Sequence, residues 1–258
     1  DLVDEVITVS TDEICAAIKD VYNDSRAICE PSGAMGVAGL KKYVDQHGVV
    51  GQTLLAVQCG ANIDFDRLRY ISERTEIGEK REAILAVSLD EKPGSFKNFC
   101  KALGRRTISE FNYRYSDANQ AQIFVGVKIS SETDRVQLVN ELSERGYPVS
   151  DLTDSDIAKS HIRHMVGGRS PQVGEEQVFR FEFPERPSAL SNFLIQLGNK
   201  LNISMFHYRN HGSAYGKVLV GFQASQHDVV EVQDFLDKLG YRYEDETNNP
   251  AYRFFLGS

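Results

Sequence analysis

The sequence has no excess of basic residues and no long apolar run. Its 258 residues include 29 Lys and Arg against 37 Asp and Glu, which gives a formal net charge of -8. Because binding to nucleic acid or to an anionic membrane needs a surplus of positive charge, this balance argues against both partners. No apolar stretch approaches the 18 residues typical of a membrane span, and no secretory signal opens the chain. We therefore expect a cytoplasmic protein.

Paired cysteine motifs are also lacking. The four cysteines are scattered, with no C-x-x-C spacing (Cys15, Cys29, Cys59 and Cys100). This pattern predicts reduced thiols rather than a disulfide framework. No cysteine or carboxylate keeps ligand spacing with the histidines near residue 207, so we predict no metal site.

The sequence does contain a long internal repeat, over residues 91–114 and again over 185–209. Both copies carry Glu-x-Pro, then Leu-Gly, then Tyr-Arg, at nearly equal spacing. A repeat of this length present only twice predicts a tandem pair of domains rather than a solenoid.

Each copy alternates in the order strand, helix, strand, strand, helix, strand, which is the ferredoxin-like order. In the first copy we predict strands at 82–90, 107–115, 122–128 and from 148, with helices from Pro93 and over 136–142. In the second copy we predict strands at 177–183, 203–208, 217–222 and 241–243, with helices at 187–197 and 229–239. Extra strands are expected at 161–166 and 252–256, and a flexible linker at 167–171.

The residues before the repeat predict a different order of strands and helices. We predict a strand at 4–9, a helix opened by the capping box at Ser10, a small-residue helix over 32–46 and a buried strand at 54–57. That order is typical of a piece of an open α/β sheet. The charged stretch 66–81 predicts a solvated linker helix or loop, with a domain boundary near residue 78.

With these residues in view, the chain resembles the C-terminal portion of the biosynthetic threonine deaminases (threonine ammonia-lyases). The resemblance rests on the two Tyr-Arg pairs and on four motifs: Glu-Pro-Ser-Gly-Ala at 30–34, Cys-Gly-Ala-Asn at 59–62, Arg-Tyr-Ile-Ser-Glu-Arg at 69–74 and Asp-Glu-Thr-Asn-Asn-Pro at 245–250. It implies an α/β protein in which residues 1–77 end a pyridoxal-phosphate catalytic domain of fold type II. Two tandem ferredoxin-like, ACT-like regulatory domains then follow, at 78–168 and 175–258.

The resemblance also implies a reaction and its control. The family converts L-threonine to 2-oxobutanoate and ammonia for isoleucine synthesis, using pyridoxal 5'-phosphate held by a lysine. Isoleucine inhibits the enzyme, valine counteracts it, and the assembly is usually a homotetramer. The lysine motif and the phosphate-binding glycine run are absent here, and Ser95-Phe96-Lys97 falls on a predicted regulatory helix. Because both are absent, we predict that the chain is inactive alone and assign no catalytic residue. The chain also starts without Met, as a fragment would.

Two residues of the first segment are candidates for a ligand role. In the family a Ser or Cys before Gly-Ala-Asn hydrogen-bonds the pyridine nitrogen of the cofactor, and Cys59 holds that position. The alternative for Cys59 is a small buried hydrophobic residue. Glu30 either assists a cation site or is a structural carboxylate near a helix start.

The candidate effector-binding residues are Tyr113, Arg114, Tyr208 and Arg209. Alternation along a strand places each tyrosine and its neighbouring arginine on opposite faces. The alternative is that the tyrosines only pack the sheet and the arginines are solvated or interface charges.

For the whole chain, the rival hypothesis is a freestanding ACT-type amino-acid sensor. An RNA-binding module has the same element order, but it is disfavoured by the net charge and by the missing aromatic strand motif.

Overall fold

The computed structural model describes residues 3–165, 167–184, 189–197, 201–210, 215–224 and 228–257. The chain divides into two compact units, Asp1–Glu82 and Ala83–Ser258. The first unit is built from helices, and the second is built around an antiparallel sheet. Within the described residues, no helix is both long and apolar enough to cross a membrane.

The first unit contains α1 (Thr11–Ser25), α2 (Pro31–His47) and α3 (Phe65–Gly78). The predicted capping box opens α1, since the Glu13 N–H donates to the Ser10 hydroxyl and the Glu13 carboxylate accepts from the Ser10 N–H. The stretch predicted to be a solvated linker is α3, and it packs against α1. The Thr75 hydroxyl donates to the Cys15 carbonyl at 3.2 Å, and a side chain on Gly78 would overlap the backbone of α1.

Two strands predicted in this unit are not formed. Residues 4–9 and 54–57 carry no strand pairing, and Leu55 and Val57 are 84% and 75% exposed. An apolar run becomes a strand only where a neighbouring chain takes up its backbone N–H and C=O groups. The described part of this unit offers helices beside these segments and no partner strand.

The second unit holds both copies of the repeat. The first copy contains, in order, β1 (Glu82–Asp90), α4 (Ser95–Ala102), β2 (Ile108–Arg114), β3 (Gln120–Lys128), α5 (Glu132–Glu144) and β4 (Val149–Asp151). The second copy contains β5 (Glu176–Pro184), α7 (Ala189–Leu197), β6 (Asn202–Arg209), β7 (Tyr215–Gln223), α8 (Val229–Leu239) and β8 (Arg242–Asp245). The predicted ferredoxin-like order is confirmed in both copies. The helix start predicted at Pro187 lies outside the described residues.

The two copies share a single sheet. Its strand order is β4-β1-β3-β2-β6-β7-β5-β8, so the copies meet where β2 pairs antiparallel with β6. The register across this junction is symmetric: Tyr113 lies opposite Phe206, Phe111 lies opposite Tyr208, and Asn112 lies opposite His207 between them. The two strands are therefore related by a local two-fold axis that passes between the equivalent residues Asn112 and His207.

The hydrophobic core lies between one face of this sheet and the helices α4, α5, α7 and α8. Phe111 and Phe206 are 1% exposed, with ring centroids 5.4 Å apart across the junction, and Phe193 of α7 lies 5.9 Å from Phe206. Burying one such side chain contributes about 1.5–3 kcal/mol. One apolar cluster runs through both copies, so the copies form a single packed unit.

Short helices follow each copy where we predicted extra strands. The stretch 161–165 contains a 3₁₀-helix, Ile162–His164, after α6 (Asp156–Ser160), and Val166 lies outside the described residues. The stretch 252–256 belongs to α9 (Pro250–Phe255). Asn249 caps α9 by accepting the Ala251 N–H at 2.8 Å, and Pro250 occupies the first turn, where its missing N–H costs nothing. We missed this helix-start signal in the sequence.

The predicted flexible linker is also fixed in place. Gly167 has φ +92, and a side chain on it would overlap the Arg114 side chain. Ser170 and Val173 are 3% and 2% exposed. Gly167 therefore serves a left-handed backbone conformation and close packing against Arg114.

Candidate effector site

The four candidate effector residues sit on the two strands that join the copies. Alternation along β2 and β6 directs Tyr113 and Tyr208 into the core under the helices, where they are 3% and 4% exposed. Arg114 and Arg209 lie on the opposite face. The structure therefore separates the tyrosines from the arginines.

Tyr113 is packed against the first helix of its own copy. Its ring centroid lies 4.7 Å from that of Phe96 in an edge-to-face arrangement. Its hydroxyl donates a hydrogen bond to the carboxylate of Glu91. Burial raises the pKa of Tyr113, and the bond to Glu91 raises it further, so the hydroxyl stays a proton donor at neutral pH.

Glu91 is a functional candidate that our sequence reasoning did not single out. It follows β1 directly and is half-buried. Burial raises the pKa of Glu91 above its ordinary value, although hydrogen bonds from Tyr113 and Asn202 act in the opposite direction. The signal was available, because the repeat places a Glu two residues before the proline in both copies, at Glu91 and Glu185. Glu185 lies outside the described residues.

A small pocket opens beside Glu91, where the two copies meet. Its lining comes from the β1–α4 turn and α4 of one copy and from α7 and the start of β6 of the other: Glu91, Lys92, Pro93, Gly94, Phe96, Lys97, Leu194, Leu201, Asn202 and Ile203. The cavity measures about 20 Å³, which is room for one water molecule. An amino-acid ligand would require the walls to move apart.

Arg114 is held in a buried cluster on the other face of the sheet. Its side chain is 8% exposed, and its guanidinium binds both carboxylate oxygens of Glu176, whose side chain is 1% exposed. The remaining N–H groups donate to the carbonyls of Gly168, Ser204 and Leu256 at 3.0, 3.3 and 2.7 Å. Five bonds account for all five N–H donors of an arginine. In this arrangement Arg114 has no donor left for a ligand.

Arg209 occupies the equivalent position in the second copy. Its Nη1 lies 3.0 Å from Nδ1 of His164, and its Nε lies 3.9 Å from the carboxylate of Glu110. Glu110 is fully buried and also accepts from Arg163 at 2.8 Å. The short helices after each copy therefore cover both arginines. This layer was not predicted, because its two helical segments were predicted as strands.

The candidate cofactor residue, Cys59, lies in the first unit and is exposed. Gly60 adopts φ +76, and a side chain on Gly33 of α2 would overlap the Cys59 carbonyl oxygen. An exposed thiol held on a fixed turn fits the role of a weak hydrogen-bond donor to a pyridine nitrogen.

Glu30 fastens that turn to the start of α2. Its carboxylate accepts the Asn62 N–H at 3.0 Å and the hydroxyl of Ser32. The hydrogen bond from Ser32, and then that from Asn62, hold the pKa of Glu30 below its ordinary value. These contacts fit the structural alternative for Glu30.

Among the described residues, no group of three or more His, Cys, Asp or Glu side chains is placed to hold a metal ion. All four cysteines are free thiols in this structure.

Two ferredoxin-like copies joined edge to edge, with a pocket at their junction, define a tandem ACT-like regulatory module. The chain belongs to the family described as the C-terminal regulatory domain of threonine dehydratase, whose profile matches it twice, over residues 73–162 and 167–256. Both copies of the repeat are therefore copies of that regulatory domain.

Proteins similar to this chain carry related names. The L-threonine dehydratase biosynthetic IlvA of Pasteurella multocida is 52% identical over 255 residues, which are 98% of this chain and 50% of that protein. The protein of the same name from Escherichia coli is 51% identical over 254 residues, 98% of this chain and 49% of that protein. The mitochondrial threonine dehydratase of Saccharomyces cerevisiae is 43% identical over 268 residues, 99% of this chain and 46% of that protein. The chain thus spans about half the length of the curated relatives it matches.

Proposed function

We propose that this chain is the regulatory half of a pyridoxal-phosphate-dependent threonine ammonia-lyase. The whole protein converts L-threonine to 2-oxobutanoate and ammonia, and this half senses isoleucine and valine. The observation that carries the proposal is the double match to a regulatory domain of threonine dehydratase. The names of the relatives support the reaction.

We assign residues 1–77 to the end of the catalytic domain and residues 78–168 and 175–258 to the two regulatory domains. The first unit supports this division, because Leu55, Val57 and Phe65 are 84%, 75% and 90% exposed. Large apolar side chains exposed together mark a surface that another part of a protein covers. The rest of the catalytic domain would cover them. We further propose that the full-length protein is a cytoplasmic homotetramer. Light scattering of the full-length protein tests the number of subunits.

We place an isoleucine site at the pocket between the copies. Phe96, Leu194 and Ile203 supply an apolar wall for a branched side chain, and Glu91 and Asn202 supply polar groups. Tyr113 reaches the site through Glu91. Arg114 and Arg209 act from the other face, where they hold the two central strands rather than the ligand. Inhibition requires that isoleucine bind the low-activity arrangement better, by roughly 1–3 kcal/mol of coupling.

Titration of this chain with isoleucine, and then with valine, by calorimetry tests the proposal. Tyr113→Phe removes only the hydroxyl that donates to Glu91 and should weaken isoleucine binding by up to roughly tenfold, because Glu91 loses one good polar contact. Tyr208→Phe is the matched variant in the other copy. In the full-length protein both variants should shift inhibition and leave uninhibited turnover nearly unchanged. Curves that overlay the wild type would show that the tyrosines only pack the sheet.

We also propose that the Cys59 thiol hydrogen-bonds the pyridine nitrogen of the cofactor in the full-length protein. The cofactor supplies the electron sink for loss of the Cα proton, and a neutral donor leaves its ring nitrogen unprotonated. Cys59→Ser should keep most of the activity, whereas Cys59→Asp should lower it strongly because a carboxylate favours the protonated ring. The absorption spectrum of the bound cofactor gives a second readout. An Asp variant that matches the wild type in spectrum and turnover would exclude the assignment.

A further inference from the structure

The pocket between the copies contains one acidic side chain against an otherwise apolar and basic lining. Among the described residues that line it, Glu91 carries negative charge, Lys92 and Lys97 carry positive charge, and Phe96 and Leu194 are apolar. An α-amino acid presents a positive ammonium, a negative carboxylate and an apolar side chain. The charges of the lining therefore match the charges of such a ligand in both signs.

We propose that Glu91 binds the α-ammonium group of the amino-acid effector. The inference rests on the proposed function, because it names the recognition chemistry of the same site. Tyr113 orients the carboxylate through its hydroxyl, and Asn202 approaches it from the other copy. A ligand on Glu91 would therefore be in contact with both copies at once.

Arg114, on the face of the sheet away from the pocket, is not available to bind the carboxylate of the ligand. Arg114 uses all five donors on protein groups. Helix α4 begins beside the pocket with Gly94 at φ +90 as its cap, and its first-turn N–H groups have no partner within the helix. Lys97 lies in the first turn of that helix and lines the same pocket. Lys97 and the start of this helix would receive the ligand's carboxylate.

The raised pKa of Glu91 fits a role in binding an ammonium group. A half-buried carboxylate supported by neutral donors lacks a counter-charge, and burial raises its pKa. A half-buried carboxylate with a raised pKa beside a pocket is typical of binding sites. An arriving ammonium would supply the missing counter-charge and favour the ionised carboxylate.

The test compares Glu91→Gln with Asp90→Asn in the full 258-residue chain. Gln keeps an oxygen that accepts from Tyr113 and removes only the negative charge. Asp90 is the adjacent carboxylate, but it is exposed, pairs with Lys92 and does not line the pocket, so it controls for the change in net charge. The ligands are isoleucine and 3-methylpentanoate, which is isoleucine without its ammonium group.

Calorimetry should show that Glu91→Gln weakens isoleucine binding by roughly 10- to 100-fold, the loss of a charge-assisted hydrogen bond, whereas Asp90→Asn leaves it unchanged. Binding of 3-methylpentanoate should be weak in the wild type and no weaker in Glu91→Gln. Thermal unfolding of Glu91→Gln at neutral pH should occur at the same temperature as the wild type or higher, which shows that the variant is folded.

Different outcomes contradict the role of Glu91 and the proposed isoleucine-sensing function. If the wild type binds isoleucine and Glu91→Gln binds it within about twofold, the inference is wrong and the proposed function stands. If Glu91→Gln weakens 3-methylpentanoate as much as isoleucine, Glu91 shapes the pocket and does not bind the ammonium, which also overturns the inference. If the wild type binds neither isoleucine nor valine, the proposed function itself fails.

Discussion

Removing the Arg114 side chain should destabilise the sheet unit more than removing any exposed arginine. Arg114→Met leaves the Glu176 carboxylate, 1% exposed, without its cation and with hydroxyl donors only, from Ser204 and Tyr252. Breaking a buried pair from one side costs about 3–5 kcal/mol, because the remaining charge stays desolvated. The free energy of unfolding of an ordinary domain is about 5–15 kcal/mol, so losing this ion pair would remove a large share of the stability.

Arg180→Met is the matched control. Arg180 lies on β5, the same strand as Glu176, and binds Glu244 and Glu246, but its side chain is 30% exposed. Pairs near the surface contribute about 0–1 kcal/mol, so this partly exposed control should lose less than Arg114→Met.

Urea unfolding measures both effects, and circular dichroism is the appropriate probe because the sequence contains no tryptophan. The double variant Arg114→Met/Glu176→Leu should unfold with a higher free energy than Arg114→Met alone, since the uncompensated charge is gone. If Arg114→Met lost no more than Arg180→Met, the burial of the ion pair would not govern its contribution, and the reasoning would be wrong.

Three further predictions follow from other sites. The chain alone should neither bind pyridoxal phosphate covalently nor form 2-oxobutanoate from threonine, and a borohydride-stable adduct with turnover would refute this. The exposed Cys59 should react with a thiol reagent at once, whereas Cys100 should react only on unfolding, because burial raises its pKa to about 12. Burial raises the pKa of Asp134, but hydrogen bonds from Ser130 and Arg106 outweigh it, so the folded pKa is lowered. The stabilisation is therefore present above pH 3.8 and lost as the pH falls below it, and Asp134→Asn should show a smaller acid-side loss in pH-dependent unfolding.

The repeat and its periodicities determined most of the regulatory fold. Strand β1 was predicted over its observed range, 82–90, and the other main elements of both copies were predicted within a few residues, except where the second copy lies outside the described residues. These signals are local, since each depends on residues a few positions apart. Alternation also placed Tyr113 and Arg114 on opposite faces, which the structure confirms.

The wrong predictions share one cause. Residues 54–57 are as apolar as a buried strand, yet they pair with no strand in the described residues. Residues 252–256 are apolar or aromatic except for Arg253, yet 252–255 form part of helix α9 because Asn249 caps it. In both cases the apolar composition was visible, but the hydrogen-bond partners of the backbone were not.

The sequence alone determined that two ferredoxin-like copies follow one another and that each tyrosine and its neighbouring arginine lie on opposite faces of the sheet. Only the tertiary structure decided that β2 pairs with β6, that Glu91 and Asn202 come together at the junction, and that Arg114 is enclosed rather than free. The Arg114 guanidinium meets Glu176 and Leu256 across 62 and 142 residues of chain. Contacts over such separations depend on how whole strands and helices pack, and no short-range pattern in the sequence records them.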